Sequence, residues 1–295
     1  MSIESTAIYT TEEGCRNYLK THREKVGIIC KRCSRTHHLW IQSRSLWRCQ
    51  CCSFQTTLKS GTLFESTKLP LVKWFSALRL LCNNKKGISA CEMRRQLGLK
   101  RYEPVWYMMH KIRMAMKNYN VAICNPVELL AREIALTRCV SVRKSGNSNS
   151  RNSTPIHLLT ILENNANFES TGGIRLHISS YENLNYDQIH KQATSLLGIS
   201  YDRRNSRAKK IIQPRGILFS DDCSVIQSIK PSKWWISKSL INLHRILNGI
   251  HHLVSKKYMQ LHLDEFTFKF NNRFQGDLSN FLIINSLNIR VETSG

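Results

Sequence analysis

Four cysteines stand in two pairs, Cys30-x2-Cys33 and Cys49-x2-Cys52, with fifteen residues between the pairs. Two knuckles at that spacing wrap four thiolates round one tetrahedral zinc. All four positions are filled by protein, so the ion would be structural, with no open position for a reacting water. Cys51, inside the second knuckle, offers a further thiol, and His37 and His38 are competing ligands of lower weight. The chain holds 11 cysteines, and its opening MSIESTAIYTTEEG has neither the basic nor the apolar stretch of a secretion leader. Reduced thiols gathered round a metal are therefore expected in place of disulfides. Cys82, Cys91, Cys124, Cys139 and Cys223 have no paired spacing and read as buried fillers.

A second chemistry is carried by cations. Residues 1 to 120 hold 22 of the 44 Lys and Arg but only 7 of the 20 Asp and Glu, a local excess of +15 within the total of +24. With a pI near 9.9, such a surface attracts phosphate backbones by counterion release, although an anionic membrane or simple solubility would draw on the same charge. No run approaches the roughly 18 apolar residues of a membrane span. A cytoplasmic protein with no membrane partner is expected. At 41% hydrophobic and 8% aromatic residues, 295 residues suffice for two or three packed domains.

The elements that must position these groups follow from periodicity. The segment from Thr10 reads as a short helix, with Thr10 or Thr11 as its cap and Glu12 and Glu13 in its first turn. Residues 26 to 66 are rich in strand and turn formers. Leu71, Trp74, Phe75, Leu78 and Leu81 share one helical face behind Pro70. After the turn NNKKG, a helix should run from near Ser89 to Gly98. The next should bury Val105, Met108, Met109, Ile112 and Met116, leaving Trp106, His110, Lys111, Arg113 and Lys117 toward solvent or a ligand.

That pattern fits a helix-turn-helix, whose polar face enters the major groove while its apolar face packs inward. Arg94, Arg95, Lys100 and Arg101 are placed for phosphates, with His110, Lys111 and Arg113 further along the same module. An ordinary three-helix packing unit with a solvated charged face would have the same pattern. The upstream zinc ribbon and the local charge favour DNA.

Beyond a polar loop at 143 to 154, the runs HLLTILE, GIRLHIS and GILFSDD read as strands, the last ending in Asp221 and Asp222. Helical patterns follow at Trp234 to Leu247 and Ser255 to Phe270. The expected class is α+β and multidomain: 1–66 a short helix plus zinc ribbon, 67–120 a helix-turn-helix module, and 121–295 a second domain.

The runs WRCQCCSFQTTLKSGTLFESTKLPLVKWF and KKGISACEMRRQLGLKRYEPVWYMMHKIRMAM resemble the N-terminal module of zinc-ribbon insertion-sequence transposases. The likeness resumes at ILFSDD, WISKSLINLHRILNGIHH and VSKKYMQLHLDEFTFKFNNRF, and is weak over 119 to 215. The resemblance implies that 121–295 is an RNase H-like domain in which Asp, Asp and a third Glu or Asn hold catalytic Mg or Mn. Such a site cuts DNA at element ends and joins the 3′-hydroxyl to a target, two cations flanking one phosphate. It implies DNA as partner, a homo-oligomer on that DNA, and association with the nucleoid.

On this chain the second acid falls on Asp221 and the Asn on Asn242, with His244 in place of a Lys and Arg245 kept. The first acid falls in LLARE, where Arg132 stands for the Asp and only Glu133 is acidic. No carboxylate occurs at 134 to 162 or 223 to 263. A cation about 4 Å from a divalent ion costs roughly 8 kcal/mol at an effective dielectric constant near 20, so the expected activity is impaired. The alternative is a catalytically dead DNA-binding or regulatory remnant.

Overall fold

The computed structural model describes residues 10–122, 130–143, 153–164, 173–178, 217–220, 234–251 and 254–288. The chain divides into two compact units, one made of Met1–Tyr119 with Phe274–Gly295, the other of Asn120–Arg273. The division differs from the one read in the sequence: 1–66 and 67–120 form one unit, and 274–295 leave the domain expected at 121–295 to join it.

The first unit opens with α1 (Glu12–Val26), which Thr11 caps by accepting from the Gly14 amide at 3.1 Å. An antiparallel sheet follows, β1 (His38–Ile41), β2 (Leu46–Cys49) and β3 (Gln55–Thr57), in the order β1-β2-β3. Trp47 on β2 is buried and stacks at a tilt on Trp40, its partner across the ladder. Arg23 lies 5.0 Å over the Trp47 ring and donates to the carbonyls of Thr57 and Leu58, while Glu24 accepts from the Trp47 indole. One face of α1 is therefore fixed to the sheet.

Three helices complete the module: α2 (Leu71–Asn83), α3 (Ala90–Leu97) and α4 (Glu103–Ala122). Pro70 at the start of α2 has no capping side chain, and Glu12 of α1 fills that role by accepting from the Val72 amide at 3.2 Å. Ser89 caps α3 through the Glu92 amide, and Gly98, at φ 63, ends it in the left-handed conformation that favours glycine. The apolar faces read in the sequence are all internal. Leu71, Trp74, Phe75, Leu78 and Leu81 of α2 are buried, and Phe64 stacks on Phe75 and stands edge-on to Trp74. Val105, Met108, Met109, Ile112 and Met116 of α4 are buried as expected.

The helix α7 (Leu278–Asn288) closes this unit from far along the chain, packing on α1 and α2. Asp277 caps it through the amides of Ser279 and Asn280. Leu282 and Ile283 are buried, Phe281 stands edge-on to Tyr119 at 5.1 Å, and the Tyr18 hydroxyl donates to the Asn280 side chain.

In the second unit, β4 (Leu130–Arg143), β5 (Ser153–Asn164), β6 (Gly173–Ile178) and β7 (Ile217–Ser220) form a sheet in the order β6-β5-β4-β7. The first three strands are antiparallel neighbours, and β7 is added parallel to β4. Two helices, α5 (Trp234–Gly249) and α6 (Lys256–Asn271), match the expected helical runs. Asn271 of α6 accepts from the Ile174 amide at 2.8 Å and donates to its carbonyl at 3.0 Å, and Gln260 donates to the Leu176 carbonyl at 3.1 Å. Side-chain amides thus occupy the outward backbone groups of β6, an edge strand that would otherwise invite another chain. The described residues are α+β, as expected.

Candidate metal centre and basic helical face

The two cysteine pairs converge. The sulfurs of Cys30, Cys33, Cys49 and Cys52 all lie within 4.8 Å of one another, and Cys30–Cys52 and Cys33–Cys49 are each 3.5 Å apart. Thiolates round a tetrahedral zinc with bonds of about 2.3 Å would be about 3.8 Å apart, so this donor set fits such an ion. The knuckles repeat one another. The Ser34 amide donates to the Cys30 carbonyl and the Ser53 amide to the Cys49 carbonyl, and both serines adopt φ 57, in the left-handed region. Each turn aims backbone amides at sulfur. The Arg32 amide donates to the Cys30 sulfur at 3.4 Å, and the Cys52 amide, opposed by desolvation and reinforced by the Cys51 amide, draws the Cys49 thiol down to about 6.

The competing ligands fall outside the cluster. His37 is exposed, His38 binds the Thr36 carbonyl at 2.8 Å through Nδ1, and Cys51 is exposed. Cys82 is buried as expected, but Cys91 is not the filler its spacing suggested: it lies exposed on α3. Cys124 and Cys223 lie outside the described residues.

Beside the first turn of α3 and its C-terminal turn is an open hollow of about 670 Å³, bordered by Cys91, Arg94, Arg95 and Lys100. Lys100 and Arg101 are exposed in the five-residue turn between α3 and α4. Arg95 is exposed but engaged, with two nitrogens on the Glu92 carboxylate at 2.9 and 2.6 Å. Arg95, and after it Gln96, hold the Glu92 carboxyl down at about 2.

Two of the expected DNA contacts are misplaced. Lys111 and Arg113 are 7% and 6% exposed, within the face of α4 that packs inward. The Lys111 ammonium donates to the Glu65 carbonyl at 2.6 Å and lies 5.3 Å over the Tyr107 ring, and burial lowers its pKa. Neither side chain is placed to meet a phosphate. His110 is half-buried and stacks on Trp106, with centroids 5.3 Å apart and planes 13° from parallel. The cap position of α4 and its N-terminal half instead expose Tyr102 and Tyr107, at 39% and 53%, which charge-based reasoning overlooked. A signal for Tyr102 was its i, i+4, i+8 spacing with Trp106 and His110 beside Lys100 and Arg101.

Of the residues assigned to catalysis, Asp221 lies outside the described residues, and Asn242 is exposed on α5. Glu133 is on β4, where its side chain is not among the described groups, but its register is clear. Ile134, the residue after it, stands beside Ile217 at the start of β7, whereas Ser220 at the end of β7 stands beside Thr137. Four residues of strand, about 13 Å, separate Glu133 from that end. Arg132 falls at an irregularity of β4, between Ala131, opposite Glu163, and Glu133, opposite Leu162.

No protein family, curated protein or solved structure matches this chain in the three comparisons made.

Proposed function

We propose that this chain is a transposase-like DNA-binding protein, in which a zinc ribbon and a helix-turn-helix form one binding module. The observation that carries the reading is the union, in one compact unit, of four convergent cysteines with the α3–α4 pair, whose connecting turn exposes Lys100 and Arg101. In a helix-turn-helix the first residues of the second helix approach base edges, so α4 is the reading helix and the α3 face with Arg94 lies toward the backbone. The sheet order β6-β5-β4-β7, a meander with a parallel strand added beside its first member, supports an RNase H-like second domain.

Zinc-loaded full-length protein should bind duplex DNA with an affinity that falls steeply with salt. Replacing both Lys100 and Arg101 with Ala should flatten the plot of log affinity against log salt by about 1.8, since each lost phosphate contact contributes about 0.9. An unchanged slope and affinity would refute the placement of the face.

The register of β4 favours one second reading, that DNA binding has outlived strand transfer. Glu133 stands away from the end of β7, and Arg132 occupies the position read as the first acid. The expected outcome is no Mg²⁺- or Mn²⁺-dependent cleavage by the full chain. Strong cleavage that disappears in Asp221→Ala would overturn it.

A further inference from the structure

We infer that the N-terminal half of α4 is a stacking platform for unpaired bases, so that the chain holds a short single strand of DNA. The inference rests on the DNA-binding reading above and names a further ligand for the same module. Tyr102 sits at the N-terminal cap position of α4, where its carbonyl accepts from the amides of Val105 and Trp106 at 3.0 Å each. Trp106 and His110 follow at intervals of four residues, so the three rings mark one face of the helix at steps of about 6 Å along its axis. Tyr107 flanks them.

Tyr102 and Tyr107 keep 39% and 53% of their surface in solvent. Three of the four rings are also held in place. The Lys111 ammonium, itself anchored on the Glu65 carbonyl, lies 5.3 Å over Tyr107, and His110 stacks nearly parallel on Trp106. A ring fixed before binding loses little freedom when a base stacks on it. Duplex DNA offers its edges and phosphates to a helix, whereas ring faces are complementary to bases that have left their own stack. Lys100 and Arg101, adjoining Tyr102, supply the charge that a single-stranded backbone needs. Glu103 is the acidic residue of this first turn.

The test uses the zinc-loaded full chain with two fluorescent probes, a fifteen-nucleotide oligo(dT), which forms no hairpin, and a duplex of the same length. The Tyr102→Ala/Tyr107→Ala double variant should lose about tenfold or more in affinity for oligo(dT), within the range known for removing stacking rings. Its salt slope should stay unchanged, because no phosphate contact is lost. Tyr102→Phe/Tyr107→Phe should retain the affinity, which separates stacking from hydrogen bonding by the hydroxyls. Both substitutions are at exposed positions, and an unaltered unfolding midpoint and zinc content will establish that each variant is folded. Duplex binding with no oligo(dT) binding, or oligo(dT) binding indifferent to the Ala variant, overturns this inference alone. Failure of the wild-type chain to bind either probe overturns the DNA-binding reading with it.

Discussion

Two cations that the sequence offered to DNA are spent on the fold. Helical periodicity set Val105, Met108, Met109, Ile112 and Met116 on the apolar face of α4 and left Lys111 and Arg113 toward solvent or a ligand, yet both are buried. Each has a long aliphatic stem that can lie among apolar neighbours. Lys111 is buried, with its ammonium on the Glu65 carbonyl. Lys111→Ala should cost about 1.5–3 kcal/mol in urea unfolding, the range for a hydrogen bond to a charged group, and leave the salt slope of duplex binding unchanged. A flatter slope in a stably folded variant would return Lys111 to the DNA face. The cysteines divide by the same test of environment. Burial, with Glu12 nearby, pushes the Cys15 thiol up to about 11, whereas Cys51 and Cys91 are exposed. With zinc bound, iodoacetamide should label Cys51 and Cys91 first among the described cysteines, and Cys15 and Cys82 last, as read by peptide mass mapping. Rapid labelling of Cys30, Cys33, Cys49 and Cys52 would mean that they hold no metal. Metal analysis of the reduced protein should find one zinc on those four thiols.

The elements legible in the sequence were those whose signals are local. The Ser89 cap and the Gly98 stop bounded α3, the spacing of Leu71, Trp74, Phe75 and Leu78 marked α2, and the knuckles announced the ribbon. Two elements were not anticipated. The strand β4 carries Arg132, Glu133, Arg138 and Arg143, and its register shifts between Ala131 and Glu133 and between Thr137 and Val140 interrupt the alternation that reveals a strand. The helix α7, LSNFLIINSLN, is apolar around much of its circumference, and its partners on α1 and α2 lie more than a hundred residues away, where no local pattern can indicate them. Ending the chain at Arg273 would remove the buried Leu282 and Ile283 from the first unit. A loss of about 3–6 kcal/mol is expected from those two side chains, with a lower thermal midpoint for the zinc-bound unit. An unchanged midpoint would show that α7 contributes nothing to it. Asn271→Ala should cost about 1–3 kcal/mol for each backbone group of Ile174 that it leaves without a partner.

At the scale of the whole molecule, a net charge of +24 opposes compaction and favours polyanions, so moderate salt should stabilise the protein and, on the function proposed above, weaken its binding to DNA. The path of the chain has a consequence of another kind. The first unit draws on residues up to Tyr119 and then on Phe274 onward. A ribosome adding about 5–20 residues per second therefore needs on the order of ten seconds or more between supplying α4 and supplying α7. During that interval the apolar faces of α1 and α2 that receive Leu282 and Ile283 have no native cover. A nascent chain is thus open to chaperones or aggregation just when its most basic third has left the ribosome, and a message broken before codon 278 yields a module that is not closed. The first unit is completed late in synthesis.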